Sequence, residues 1–372
     1  MKKRLVISAT QYQEKSSGIG ILIYELFGRL AQHPGREAAV LLSADSPPFP
    51  QGQARQIRIP VKKGRALLRG LYESLWMGRR YCKNCLYLTT DSKIPLLLPP
   101  SCQVIAVVTD LALFRMGEVY RASRVWYWRL QYRLLRKRAV CYGAISPFTK
   151  EEMTRLLAIP AEKIHVIPCA ADPALRRVKD EKTLEAVRER YGLPERYLLF
   201  VGNFNPRKNL TRLMEAFDLL KSRPAGAGWK LVIAGEQGWK FDREKALAAI
   251  RCREDVLFPG YVAREDLGAL YSMAGAFLFP SLYEGFGIPV IEAQQCGAPV
   301  ICSGTSALPQ VAGRGALYVD PMDPEDICHQ IHRLLTDPAL GNQLRQAGYE
   351  NASRFSWERS VKALAELLEQ LP

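Results

Sequence analysis

Histidine is scarce in this chain. Four stand among 372 residues, at 33, 165, 329 and 332. None sits near the one close cysteine pair, Cys82-Lys83-Asn84-Cys85. A zinc site built on such a pair wants a second pair or histidines at matching spacing. The nine cysteines are an odd number scattered along a long chain. They read as reduced, mostly buried thiols, with no metal site and no cofactor. Long apolar runs are missing too. The longest uncharged stretch, Ala293 to Gly313, is broken by Pro299, Pro309 and several Gly and Ser, so it is no bilayer helix. Met1-Lys2-Lys3-Arg4 imitates the start of a signal peptide, but only Leu5-Val6-Ile7 follows before polar residues return. That is too short for a signal core and reads as a first buried strand. Repeats and low-complexity tracts are absent. With 48% hydrophobic and 24% charged residues, disorder and fibrous architectures are excluded. The length suggests two or three domains.

Acidic residues are sparse in the first half. Residues 1–175 carry 27 Lys and Arg against 12 Asp and Glu, whereas residues 176–372 carry 25 of each. The whole net charge of +15 therefore lies in the first half, which suggests that this half faces something anionic.

Strands alternate with helical patterns throughout, the signature of βαβ units and parallel sheets. In the first half, strands are expected at Arg4–Ser8, Ala39–Ser43, Val104–Val108 and Val140–Ile145, with a helical stretch over Ile21–Ala31. In the second half, Tyr197–Gly202, Trp229–Gly235, Val256–Phe258, Ala276–Pro280 and Pro299–Cys302 read as strands. Leu210–Lys221, Pro289–Cys296, Asp323–Leu335 and Trp357–Leu371 read as helices. The charge-dense stretch Pro173–Pro194 separates the two series. The expectation is an α/β protein of two doubly wound, Rossmann-like domains facing across a cleft. Their bounds are 1–172 and 196–356, joined by a linker over 173–195. A C-terminal helix, 357–372, is expected to return to the first domain. Ligands of such sheets bind beyond the carboxyl ends of the strands.

Three segments offer chemistry. In Ser281 to Ala293, a strand ends, a turn carries Glu284, Gly285, Phe286 and Gly287, and a helix begins near Pro289, with Glu292 on it. Backbone N–H groups at a helix start favour anions. The bland alternative is an ordinary βα turn with two solvated glutamates. In Val201 to Leu210, a strand ends in Gly202, and Arg207 and Lys208 stand at the start of a helix. Cations there oppose the helix dipole, and a bound anion relieves this; a solvated turn is the alternative. The third segment is Ser16-Ser17-Gly18-Ile19-Gly20, after the first strand. It is no GxGxxG fingerprint, which disfavours a Rossmann dehydrogenase.

Taken in order, these pieces resemble retaining glycosyltransferases of GT-B family 4, the glycosyl transferases group 1. The matching stretches include Gly18-Ile19-Gly20, Thr109-Asp110-Leu111, Ser146 to Thr149, Gly202 to Asn209, Val256 to Val262, the Glu284…Glu292 pair and Gly297 to Val300. The resemblance implies the GT-B fold and a sugar-nucleotide donor. Lys208 and Arg207 would neutralise its diphosphate, and Glu292 would bond the ribose. Glu284 with the amides of Gly285, Phe286 and Gly287 would hold the sugar. Gly202, Asn203, Tyr261, Val262 and Ile288 would complete the donor site. Asp110 joins Glu284, Lys208 and Arg207 as a catalytic candidate, and Gly18, Gly20 and Thr109 face the acceptor and phosphate. The chain departs from the family pattern at Thr109, where many relatives have His, at Asn203, where many have Arg, and at Gln310, where many have Glu.

Two stretches carry much of the excess charge, Lys62 to Lys83 around Leu67, Leu71, Leu75 and Trp76, and Arg121 to Arg138 around Trp126, Tyr127 and Trp128. Basic helices with aromatic residues read as membrane-surface elements; helices packed into their own domain with a basic rim are the alternative. No nucleic-acid reader motif accompanies the charge. The expectation is a cytoplasmic enzyme bound peripherally to the inner face of the cell membrane. It would transfer a hexose, mannose from GDP-mannose best, to a lipid-linked or oligosaccharide acceptor in cell-surface polysaccharide assembly. A GT-B sugar-nucleotide epimerase and a non-catalytic sugar-nucleotide-binding scaffold are the other readings.

Overall fold

The computed structural model describes residues 3–371, apart from 13–17, 33–35, 50–53, 63, 91–93 and 121. Ser16 and Ser17 of the first glycine-rich segment, and Lys63 and Arg121 of the basic stretches, lie outside the described residues, as do the side chains of Leu67 and Arg124. The chain divides into two compact units. One comprises Met1–Cys169 with Trp357–Pro372, the other Ala170–Ser356.

Among the described residues the first unit holds seven strands: β1 (Arg4–Ser8), β2 (Ala38–Leu42), β3 (Arg55–Arg58), β4 (Cys85–Thr90), β5 (Gln103–Val108), β6 (Ala139–Ala144) and β7 (Ile164–Val166). They form one sheet in the order β3-β2-β1-β4-β5-β6-β7, parallel throughout. The second unit holds β8 (Tyr197–Val201), β9 (Lys230–Ala234), β10 (Val256–Gly260), β11 (Ala276–Phe279), β12 (Val300–Ser303) and β13 (Ala316–Val319). Their order is β10-β9-β8-β11-β12-β13, again all parallel.

Parallel strands are covered on both faces, so they read as unbroken apolar runs rather than alternating ones. β5 illustrates this, with Val104 through Val108 wholly buried. Four strands were not among those expected. β3 reads Arg-Gln-Ile-Arg and is largely exposed; it is an edge strand, where charge blunts unwanted pairing. β4 mixes Cys, Tyr and two Thr, yet all six residues are buried. β7 and β13 have three and four residues, too few for a pattern.

The helical stretch after β1 starts at Gly18 and runs through a π-helical turn, Ile23–Phe27, to Leu30. Gly18 and Gly20 lie within this helical stretch. The stretch read as a linker carries the helix Glu181–Tyr191, capped by Asp180 and by left-handed Gly192. Val187 on it joins the core of the second unit. The Tyr191 hydroxyl and Arg190 both donate to Asp266 there, at 2.7 and 2.8 Å. The helix Trp357–Glu369 packs in the first unit. Trp357 is fully buried, Ser360 Oγ donates to the Pro168 carbonyl at 2.6 Å, and Glu358 pairs with Arg29 at 2.6 Å.

Candidate functional site

In the second unit the chain leaves β8 for β9 and β10 on one side, then crosses to β11, β12 and β13 on the other. The turns following β8 and β11 thus lead off in opposite directions. This switch point is where doubly wound sheets bind ligands, and it is where the two charged segments meet.

After β8 comes Gly202, then exposed Asn203 and a 3-10 turn, Pro206–Lys208. Asn205 caps that turn, its side-chain oxygen accepting from the Arg207 amide at 3.1 Å. Asn209 follows in the left-handed conformation, φ 59°, and precedes the helix Leu210–Lys221. Its side-chain amide donates to the carbonyls of Pro280, at 3.0 Å, and Pro321, at 2.6 Å. One buried asparagine therefore ties the β8 turn to the ends of β11 and β13. The Leu282 amide donates to the Arg207 carbonyl at 2.8 Å, a second tie between the two segments.

These ties hold Lys208 against Glu284. Lys208 Nζ donates to Glu284 Oε1 at 2.7 Å, and both side chains are nearly buried. The ammonium also lies 4.3 Å from the centre of the Phe279 ring, a favourable cation–π placement. Arg207 stands farther off, 4.0 Å from Glu284 Oε2. Burial works to raise the Glu284 carboxyl, but the charges of Lys208 and Arg207 outweigh it and hold it below its ordinary value. The pair is preformed, and the backbone of a glycine-rich turn follows Glu284 in the chain.

That backbone is the turn Gly285 to Gly287. Gly287 has φ 106°, and a Cβ there would lie 2.6 Å from Leu308 Cδ2, so only glycine fits. The helix Ile288–Gln295 starts behind it with Pro289 in its first turn, and the Val290 amide donates back to the Gly287 carbonyl at 3.0 Å. The Glu284 amide donates to Ser306 Oγ at 3.0 Å, and the Ala307 amide to the Glu284 carbonyl at 3.2 Å, fixing the turn from behind.

Glu292 lies one helical turn beyond Ile288, about 6 Å along the axis. It is buried, and Oε2 accepts from the Tyr271 hydroxyl at 3.2 Å. Burial pushes its carboxyl up to about 7, with Tyr271 and Arg264 pulling the other way. Arg264 is ion-paired to Asp172. Tyr261, exposed, and Val262, buried, follow β10. The sequence predicted neither the Tyr271 partner of Glu292 nor the role of Asn209. Tyr271 comes from another helix, and nothing local marks either one.

The remaining candidates belong to the first unit. A Cβ on Gly18 would meet nothing within 4 Å. Thr109, buried, and Asp110 follow β5, and Asp110 Oδ1 accepts from the Ala112 amide at 3.0 Å, capping the short helix behind it.

The first unit also carries the basic stretches. The helix Ala122–Arg138 buries Tyr132 and Leu135 in the core. It exposes Trp126, Arg129, Leu130, Arg133, Arg136 and Lys137, which fall on one face at helical spacing. A groove of about 660 Å³ runs between this helix and Leu156-Leu157, lined by Phe114 and by Arg129, Arg133, Arg136 and Lys137. In the other stretch Met77 is buried, while Leu68, Leu71 and Trp76 are each more than half exposed. After burial, the charge of Glu73 is what raises the Tyr127 hydroxyl, so the two stretches lie near each other. Among the described residues no helix is long and apolar enough to cross a membrane.

The family model for glycosyl transferases group 1 matches residues 185–351, the unit that holds Lys208, Glu284 and Glu292. O-antigen chain mannosyltransferase B of Escherichia coli is 32% identical over 287 residues, covering 76% of this chain and 73% of that protein. The serotype-specific mannosyltransferase WbdA of Escherichia coli is 28% identical over 233 residues, and the match spans 60% of this chain but 28% of WbdA. Among solved structures, sucrose-phosphate synthase from Thermosynechococcus elongatus superposes with a TM-score of 0.76 at 20% identity, over 100% of this chain and 99% of that one. The chain belongs to the glycosyl transferases group 1 family and is a GT-B glycosyltransferase related to bacterial mannosyltransferases.

Proposed function

We propose that this enzyme is a retaining hexosyltransferase. It moves mannose from GDP-mannose to a lipid-linked or oligosaccharide acceptor in cell-surface polysaccharide assembly. The observation that carries the reading is the buried Lys208–Glu284 pair at the switch point between β8 and β11, beside the turn Gly285 to Gly287. The choice of mannose rests on the likeness to O-antigen chain mannosyltransferase B.

Cleaving the bond between an anomeric carbon and a diphosphate leaves growing negative charge on the leaving group. Preorganised cations and N–H donors stabilise such charge, each worth about 2.7–4 kcal/mol. In this reading Lys208 and Arg207 face the diphosphate, and Gly202 and Asn203 let the backbone come close to it. Glu284 and the amides of Gly285, Phe286 and Gly287 hold the transferred sugar. Glu292 takes the ribose hydroxyls, with Tyr261, Val262 and Ile288 around the nucleoside. The leaving phosphate takes the acceptor proton on the same face of the sugar, so retention needs no separate base. Gly18, Gly20, Thr109 and Asp110 serve the acceptor and phosphate side. The basic, aromatic faces of the first unit hold the enzyme at the anionic inner leaflet of the cell membrane, where the lipid-linked acceptor resides.

The test is donor hydrolysis and binding across GDP-, UDP- and dTDP-sugars, with Glu292→Ala as control. Saturable turnover of GDP-mannose that Glu292→Ala weakens is the expected result. Turnover of a different donor would overturn the choice of mannose, and saturable donor binding without turnover would favour a scaffold.

A further inference from the structure

We propose that Cys82, Cys85 and Cys102 form a binding site for a thiophilic metal ion, zinc in particular, that clamps a helix to the sheet of the first unit.

The sequence offered one pair and no further ligand nearby. The fold supplies the third. Cys82 ends the helix Gly78–Tyr81, its amide donating to the Gly78 carbonyl at 3.0 Å. Asn84, in the left-handed conformation with φ 50°, turns the chain back so that Cys85 opens β4. Cys102 comes just before β5, and the register Leu86↔Gln103 sets it alongside Cys85. The Asn84 amide donates to Ser101 Oγ at 3.2 Å, locking the two segments together.

The three sulfur atoms lie within 4.8 Å of one another, and all three residues are buried. Cys85 Sγ and Cys102 Sγ are 3.8 Å apart. A zinc–thiolate bond of about 2.3 Å in tetrahedral geometry puts sulfurs about 3.8 Å apart. A small shift of Cys82 would complete one face of such a tetrahedron.

Three thiolates around a dication leave one net negative charge, and cations stand by to offset it. Arg4 donates to the Tyr81 carbonyl at 3.0 Å, and Arg138 to the carbonyls of Leu98 and Pro99 at 3.1 and 3.0 Å. No other such group of possible metal ligands occurs among the described residues.

The cluster sits at the amino ends of β4 and β5. Thr109 and Asp110 follow the other end of β5, a strand length of about 20 Å away. Its role is therefore structural, with metal binding adding to folding free energy.

The experiment uses the full chain purified without chelator, assayed for bound metal and then titrated with Co²⁺ after stripping. About one zinc per chain, and a thiolate-to-cobalt charge-transfer band in the near ultraviolet, are expected. Cys102→Ser and Cys82→Ser should lose both, while Cys252→Ser, a half-exposed cysteine of the second unit, keeps both. Circular dichroism checks that each variant is folded. If Cys102→Ser fails to fold, the wild-type metal content and cobalt band still decide. No zinc and no band in the wild type, a band indifferent to Cys102→Ser, or a disulfide between these cysteines found by mass spectrometry would each overturn the site.

Discussion

Lys208 and Glu284 are 76 residues apart in the chain and 2.7 Å apart in the fold. The pair is buried, so its two members depend on each other. Removing one partner leaves the other as an uncompensated charge, at a cost of about 3–5 kcal/mol. Lys208→Ala should therefore lower the melting temperature and cut turnover by about 10²–10³-fold. Lys208→Met combined with Glu284→Gln removes both charges, and should recover most of the stability but none of the turnover. Thermal melts and donor turnover of the three proteins separate the two effects. Near-normal turnover in Lys208→Ala would remove the lysine from the mechanism.

Glu292 makes stability depend on pH in the opposite sense to a salt-bridged carboxylate. Its folded value is about 7 and its ordinary value 4.5. Below the ordinary value both folded and unfolded chains hold the proton, and the group contributes nothing to the difference. Between the two values the unfolded chain releases its proton first, so stability falls as pH rises, by about 1.4 kcal/mol per unit. Above the folded value the cost is constant. Glu292→Gln cannot ionise and should flatten this slope. Melting temperatures of the ligand-free proteins from pH 4.5 to 8 check it, and parallel curves would show that Glu292 does not carry the dependence.

What was legible in the sequence, and what was not, follows from range. β8 and β11 were readable because buried parallel strands are apolar runs ending in turn residues, and the turns after them carry their charges in plain view. Strand order is not written locally. That β8 and β11 are neighbours, which brings Lys208 to Glu284, follows from the crossover of the whole chain. Cys102 was invisible as a partner of Cys82 and Cys85 for the same reason, since it depends on the register of β4 against β5. β3 escaped notice because an exposed edge strand of arginine and glutamine lacks the apolar signal.

Asn209 is the joint between these segments. Its side-chain amide makes two hydrogen bonds to carbonyls of distant loops, and its backbone holds φ 59°. Asn209→Gly keeps the dihedral accessible and loses the bonds, leaving buried carbonyls unsatisfied at about 1–3 kcal/mol. Asn209→Ala adds left-handed strain on top, roughly 1–2 kcal/mol more. The expected order of melting temperature is wild type, then Gly, then Ala. Turnover should fall in both, because the Arg207–Lys208 turn is no longer tied to the end of β11. Equal melting temperatures for Gly and Ala would mean that the dihedral carries no strain.

The exposed face of the helix Ala122–Arg138 combines two forces of different range. Arg129, Arg133, Arg136 and Lys137 share it with Trp126 and Leu130. Near an anionic leaflet each cation contributes about 1 kcal/mol, and this attraction is screened by salt, with a Debye length of about 10 Å at 0.1 M and 3 Å at 1 M. Burying the exposed indole is worth about 2 kcal/mol more and is insensitive to screening. Vesicle flotation should therefore show strong binding to phosphatidylglycerol-containing vesicles, weak binding to neutral ones, and loss of the difference at 1 M salt. Arg129→Glu with Arg133→Glu should abolish the preference for anionic lipid. Trp126→Ser should weaken binding on both surfaces by about the same factor, near thirtyfold for 2 kcal/mol. Trp76→Ser tests whether the neighbouring stretch touches the same surface. Equal binding to neutral and anionic vesicles, or none to either, would mean that these residues form only the solvated rim of their own domain.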